Sequence, residues 1–229
     1  MNDDSASDHQ AASKEAQGHP CSRRNVLLGG TALTAASALG AATLTRTTQA
    51  QQLGSGPSGR RPNIVVILAD DLGNADLGYR GSDIKTPNID ALAAGGVRLE
   101  SFYGMPASTP ARAALMTGRY PMRYGLQTMV ISPSQTYGLP TEERTLAQAL
   151  KEAGYRTAMV GKWHLGHADQ KYWPQNRGFD HFYGNLVGEV DHFTKELGGL
   201  IDWQRNGQFL KENGYSTTLL GDEAVRIID

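Results

Sequence analysis

Ser108-Thr109-Pro110-Ala111-Arg112, followed by Thr117-Gly118-Arg119, gathers residue types able to handle an oxyanion. The apolar run from Ala113 to Met116 predicts a helix that begins near Ser108 and stops at Gly118. Proline is tolerated in a first helical turn, and glycine suits a helix end. The free N–H groups and the dipole of such an N-terminus favour anions. Arg112 stands one turn on, facing the same way as Ser108, and offers a planar fork of donors. The spacing describes a hydroxyl nucleophile beside an anion site. An ordinary capping serine with a surface arginine has the same letters.

Two further clusters carry chemistry. Asp70 and Asp71 are adjacent carboxylates at the end of an apolar run. Like charges this close repel, so a bound divalent cation is a natural compensation, and oxygen-only ligands suit Ca²⁺ or Mg²⁺. A solvated acidic turn is the plain alternative. Lys162 and His164 are two residues apart, so in extended chain they share a side and can face an anionic substrate together.

The elements that must position these groups follow from pattern. Residues 63–69 are continuous and rich in β-branched side chains, which predicts a central strand buried on both faces. Open α/β sheets bind ligands at such carboxyl ends. Thr86-Pro87 opens a helix that stops at Gly95-Gly96. Residues 97–102 read as a short strand. Thr141 caps an amphipathic helix ended by Gly154, and residues 155–160 form the next strand, leading to Lys162. Residues 216–229 are helical in pattern and end without a cap. The whole reads as α/β, a mixed and mostly parallel sheet flanked by helices, in a chain that stops before the domain is complete.

The chain has 229 residues and a formal net charge of −1, which excludes the polybasic signature of nucleic-acid binding. Its one cysteine is Cys21, so the segment beyond it has neither disulfide nor thiolate chemistry. Residues 1–50 read as a twin-arginine signal peptide: Arg23-Arg24 precede a mildly apolar run and a small-residue cleavage region ending at Ala50. The run is too glycine-rich for a stable membrane anchor. Residues 51–61 read as a linker, and 62–229 as the catalytic portion. Export through the twin-arginine (Tat) machinery to the periplasm or the exterior is the expectation.

Taken together, Arg61-Pro62-Asn63-Ile64, Asp70-Asp71-Leu72-Gly73, Thr86-Pro87-Asn88-Ile89-Asp90, the Ser108 segment, Gly161-Lys162-Trp163-His164-Leu165-Gly166 and Arg177-Gly178-Phe179-Asp180 resemble the sulfatases of the alkaline-phosphatase-like superfamily. The stretches 125–140 and Leu200-Ile201-Asp202 look most like the arylsulfatase B group. The resemblance implies a sulfuric ester hydrolase with one Ca²⁺ ion, ligated by Asp70, Asp71 and an oxygen at position 108. It implies that a maturation enzyme oxidises Ser108 to formylglycine, whose hydrate attacks sulfur and then releases sulfate by collapsing to the aldehyde. Arg112 would hold that hydrate, Lys162 would bridge it to the sulfate, and His164 would bond its second hydroxyl. The substrate would be an aryl sulfate or a sulfated sugar. The resemblance also implies that an Asp-Asn pair, a substrate histidine and another lysine lie beyond residue 229. Three oxygens fall short of the six to eight that Ca²⁺ takes, so the chain alone is expected to be inactive or nearly so. Two other readings stay open: a phosphoryl or phosphonate ester hydrolase using unmodified Ser108, and a non-catalytic remnant. His167, His181, Asp191 and His192 are candidates for a substrate mouth.

Overall fold

The computed structural model describes residues 61–229; the expected signal peptide, and the expected linker up to residue 60, lie outside the described residues. Val65–Asp229 form one compact unit. Its centre is a mixed sheet. Strand β1 (Ala158–Val160) pairs in parallel with β2 (His181–Gly184). A small hairpin of β3 (Glu196–Leu197) and β4 (Leu200–Ile201) stands apart from it. Strands β5 (Gln204–Arg205) and β6 (Gln208–Phe209) complete the sheet in the order β1-β2-β5-β6, with both added pairings antiparallel. Asn206-Gly207 makes the β5–β6 turn, with φ of 51° and 87°. Both central residues of such a turn need positive φ, which Asn and Gly tolerate best.

Thr157 sets the register of β1 on β2. Its backbone N–H donates to Asp180 Oδ2 at 3.0 Å, and its carbonyl accepts from the N–H of His181. Every residue of β2 is buried, so the sheet reads as core from this strand outward.

Helix α1 (Pro87–Gly95) begins at the expected proline. The Thr86 hydroxyl does not cap it; it accepts from Gly78 N–H and donates to Asp90, both at 2.8 Å. Helix α2 (Ser108–Thr117) matches the expectation at both ends, with Gly118 in the left-handed conformation that closes it. Helix α3 (Leu146–Glu152) starts four residues later than expected, because Thr145 and not Thr141 is its cap. Thr145 and Gln148 bond reciprocally, side chain to backbone at 3.1 and 2.8 Å, which satisfies two free donors that Thr141 in its exposed turn cannot reach. Helix α4 (Ser216–Ile228) lies against β1 and β2.

Two expected strands do not form. Residues 63–69 are exposed and pair with no strand among the described residues. An apolar run supplies side chains for a sheet but not the neighbouring backbone that a ladder requires. Residues 97–102 are also exposed and unpaired; there Glu100 is drawn to Arg80 at 2.5 Å. No helix among the described residues is long and apolar enough to cross a membrane.

The core cluster joins Ala113 of α2 to Leu126, Ile131, Leu139, Trp163, Leu165, Phe182 and Leu186. It therefore ties the first turns of α2 to the chain leaving β1. Of the residues that follow β1, Trp163 and Leu165 belong to this cluster, while Lys162 between β1 and Trp163 lines the cavity beside it.

Candidate active site

Ser108 occupies the first position of α2, and Ala107 before it offers no side-chain cap. The early N–H groups of the helix are thus left for another acceptor. Arg112 Nε donates to Ser108 Oγ at 3.2 Å, as one-turn spacing requires. The rest of the guanidinium is spent across the fold. One terminal nitrogen donates to Lys162 O at 2.6 Å and the other to Asp70 Oδ1 at 3.1 Å. Arg112 is 9% exposed, so these bonds hold it largely out of water.

His164 reaches the same hydroxyl from the other side. Its Nε2 lies 3.1 Å from the carbonyl oxygen of Ile131, which can only accept. Nε2 therefore carries the proton, and Nδ1 is left to accept from the Ser108 hydroxyl at 3.0 Å. Burial first, and then the nearby Lys162 ammonium, push the imidazole down to about 4. It is neutral in the physiological range. The residue has φ of +58°, a conformation that side chains seldom adopt. Both of its backbone groups are fixed: its N–H donates to Leu186 O at 2.9 Å, and its carbonyl accepts from Thr109 Oγ1 at 2.9 Å.

Lys162 Nζ donates to Asp70 Oδ2 at 2.6 Å. Burial alone would raise the Asp70 carboxyl, but Lys162 and Arg112 together hold it below the usual carboxylate range. The structure thus brings Asp70, Ser108, Arg112, Lys162 and His164 together. It does not bring Asp71, which is exposed at φ 55° with no bond to the cluster.

The fit to a divalent cation is partial. Carboxylate oxygens are the right donors for a hard ion. Both Asp70 oxygens, however, are already bonded to cationic side chains, and no group of three or more metal-ligating side chains exists among the described residues. The residues described here would contribute to such a site without completing it.

Of the four candidates for a mouth, only His192 lines the cavity next to the site, a space of about 800 Å³ that Asp70, Arg112 and Lys162 also line. His181 is turned inward to Glu223, His167 reaches Pro133 O at 3.1 Å, and Asp191 closes its own turn. Four residues given no role in the sequence also shape the site: Thr109, Ile131, Gly188 and Asp202. Thr109 lies inside the motif at its variable position, so its place next to Ser108 was its only signal. Ile131 acts through its backbone and leaves none.

A helix N-terminus carrying a hydroxyl, backed by guanidinium, ammonium and neutral imidazole, makes a site on an α/β fold whose donors all suit an oxyanion. Residues 62–229 match the family profile described as Sulfatase, and the chain belongs to that family. It is 51% identical to arylsulfatase J of Mus musculus over 134 residues, 58% of this chain and 22% of that protein. It is 41% identical to N-acetylgalactosamine-6-sulfatase of Mus musculus over 164 residues, 66% of this chain and 31% of that protein. The solved structure of Ps i-CgsB matches with a TM-score of 0.69 and 39% identity, over 74% of this chain and 42% of its own. The chain thus spans between about a fifth and two fifths of the length of these relatives.

Proposed function

We propose that this chain carries the nucleophile-bearing part of an exported sulfuric ester hydrolase. The observation behind the reading is the two-sided hold on one oxygen: Ser108 Oγ lies 3.2 Å from Arg112 Nε and 3.0 Å from His164 Nδ1. The α2 N-terminus and Arg112 would stabilise charge on the attacking oxygen, His164 would accept a hydroxyl proton at its bare Nδ1, and Lys162 would turn from Asp70 to the sulfate. Oxidised to formylglycine by a maturation enzyme, position 108 would supply a hydrated aldehyde, which can give up sulfate where a serine ester would stay trapped. A calcium ion held in part by Asp70, with Asp71 turned in from its exposed position, would offset negative charge at that oxygen.

The substrate class we infer is a sulfated sugar or an aryl sulfate. Supporting it are the relatives: one is named for N-acetylgalactosamine 6-sulfate, and Ps i-CgsB was solved with a neocarrahexaose. Arg23-Arg24 and the run behind them support Tat export to the periplasm or beyond. A second reading, phosphoryl transfer by unmodified Ser108, draws support from the hydroxyl's bond to an imidazole that is free to accept its proton.

Mass spectrometry of the peptide containing position 108 separates the two, since formylglycine is lighter than serine by two hydrogens. The expected result for the complete reading frame is the lighter mass together with multiple turnover of an aryl sulfate in the presence of Ca²⁺. Catalytic desulfation by a protein that keeps intact serine would overturn the reading. Residues 51–229 alone are expected to show no sustained turnover.

A further inference from the structure

Thr109 is fully buried, although it is a polar residue in the first turn of α2 beside the proposed nucleophile. A threonine there normally either caps the helix or faces water. This one does neither, and its hydroxyl is doubly used. It donates to His164 O at 2.9 Å and accepts from Ile131 N–H at 3.0 Å. Ile131 in turn presents its carbonyl to His164 Nε2 at 3.1 Å. The three residues close a circuit: hydroxyl to histidine backbone, hydroxyl to loop, loop to imidazole.

We propose that Thr109 is a positioning residue, whose hydroxyl holds Ile131 and the His164 backbone in one frame and so fixes which imidazole nitrogen faces Ser108. The inference rests on the reading of Ser108 as the reacting position. It adds a residue between the nucleophile and its imidazole that touches neither substrate nor reacting atoms.

The frame matters because packing and the Leu186 bond alone do not aim the Ile131 carbonyl or the His164 carbonyl. Ile131 lies in a stretch without helix or strand, so no regular ladder aims its carbonyl. His164 sits at φ +58°, a conformation that persists only when neighbours over-determine it. Leu186 O supplies one restraint through the His164 N–H, and Thr109 supplies the other through the carbonyl. A flip of the 131–132 peptide would present the Ser132 N–H to the ring in place of the Ile131 carbonyl. The proton would then move to Nδ1, and Ser108 would face a donor rather than an acceptor. The Thr109 bond to Ile131 N–H anchors the preceding peptide plane, and the Ser132 N–H is already held by Gln135 Oε1 at 2.7 Å, so the carbonyl between them is kept on the ring.

Thr109→Val keeps the branched shape and removes the hydroxyl, whereas Thr109→Ser keeps the hydroxyl and removes a methyl. The readout is the ¹⁵N spectrum of the His164 ring in the full 229-residue chain at neutral pH, with a His164→Gln variant to identify its signals. The parent should show a protonated Nε2 and a bare Nδ1. In T109V the opposite form should gain about five- to tenfold in population, the effect of one buried hydrogen bond. T109S should restore the parent pattern. A parent ring protonated at Nδ1, or a T109V ring indistinguishable from the parent, overturns the proposal. Should T109V lose its dispersed amide spectrum, hydrogen exchange at Ile131 in the parent decides. A slow amide supports the bond to Thr109, and exchange at the rate of an open loop overturns it. None of these readouts needs turnover, so absence of sulfatase activity would sink the functional reading while leaving this one standing.

Discussion

Lys162 Nζ stands 2.6 Å from Asp70 Oδ2, a contact between residues 92 positions apart. Arg112 holds the other oxygen of the same carboxylate, so Asp70 neutralises two cations that the proposed reaction would turn toward an anion. In the proposed reaction the carboxylate would act as an internal competitor for sulfate. A cation drawn to Asp70 would release both side chains.

Asp70→Asn removes that competitor and leaves Lys162 and Arg112 facing the cavity with less compensation. Inorganic sulfate should bind the variant about tenfold more tightly than the parent in metal-free buffer, the effect expected of one charged hydrogen bond regained. Titration calorimetry at low ionic strength measures it. Equal or weaker binding by the variant would show that Lys162 and Arg112 do not serve an incoming anion.

Gly188 packs against the imidazole so closely that a Cβ there would lie 2.4 Å from His164 Cε1. Gly188→Ala must therefore displace the ring or the loop. The expected cost is about 1–3 kcal/mol in stability, together with loss of the Ser108–His164 hydrogen bond. Thermal unfolding and the ring ¹⁵N spectrum report the two effects separately. An unshifted ring would mean that the loop moves instead.

Much of the site was legible because its chemistry is local. Ser108 and Arg112 are one helical turn apart, and Lys162 and His164 straddle two positions after a strand. The contacts that crossed the fold were not legible. Thr109 to Ile131, and Asp202 to the Leu186 loop, join residues with no common period. Residues 63–69 show the opposite failure, in which the pattern was right for a strand and the pairing was absent. Side-chain alternation fixes a face, but only a neighbouring chain fixes a ladder.

Ile67 turns that failure into a measurement. It is 82% exposed. Ile67→Lys should change the stability of this chain by less than about 0.5 kcal/mol, as exposed substitutions do. A residue in a buried central strand would lose about 2–5 kcal/mol on comparable truncation. A large drop in Tm would restore the buried-strand expectation.

Asp202 works one layer behind the imidazole. Its two oxygens accept from the N–H groups of Leu186 and Val187 at 3.1 and 2.7 Å, and Leu186 O receives the His164 N–H. Burial raises the Asp202 carboxyl, while the two amides work against that rise. Asp202→Ala leaves both amides buried without a partner, at a cost of about 1–3 kcal/mol for each group. Asp202→Asn keeps one acceptor and should lose clearly less. Denaturant midpoints for the two variants test the order, and equal losses would mean that the amides find water.

Glu223 sets the acid limit of α4. It is buried on that helix and receives Arg226 at 2.6 and 2.9 Å, Arg205 at 3.3 Å and His181 Nε2 at 2.7 Å. These bonds, that of Arg226 foremost, outweigh burial and hold its carboxyl down to about 2. A carboxyl whose folded value lies below its unfolded one stabilises the fold above the unfolded value, which for glutamate is about 4.3. That stability drains away as pH falls from about 5 toward about 2. Glu223→Gln keeps the shape and removes the charge. At neutral pH it should unfold about 4–8 °C below the parent, the equivalent of about 2 kcal/mol for a chain of this size. As both proteins are taken into acid, the gap should close, because only the parent loses the contribution. A gap that stays constant from neutral pH down to about pH 2.5 would mean that the ionised carboxylate does not anchor α4 to β2 and β5.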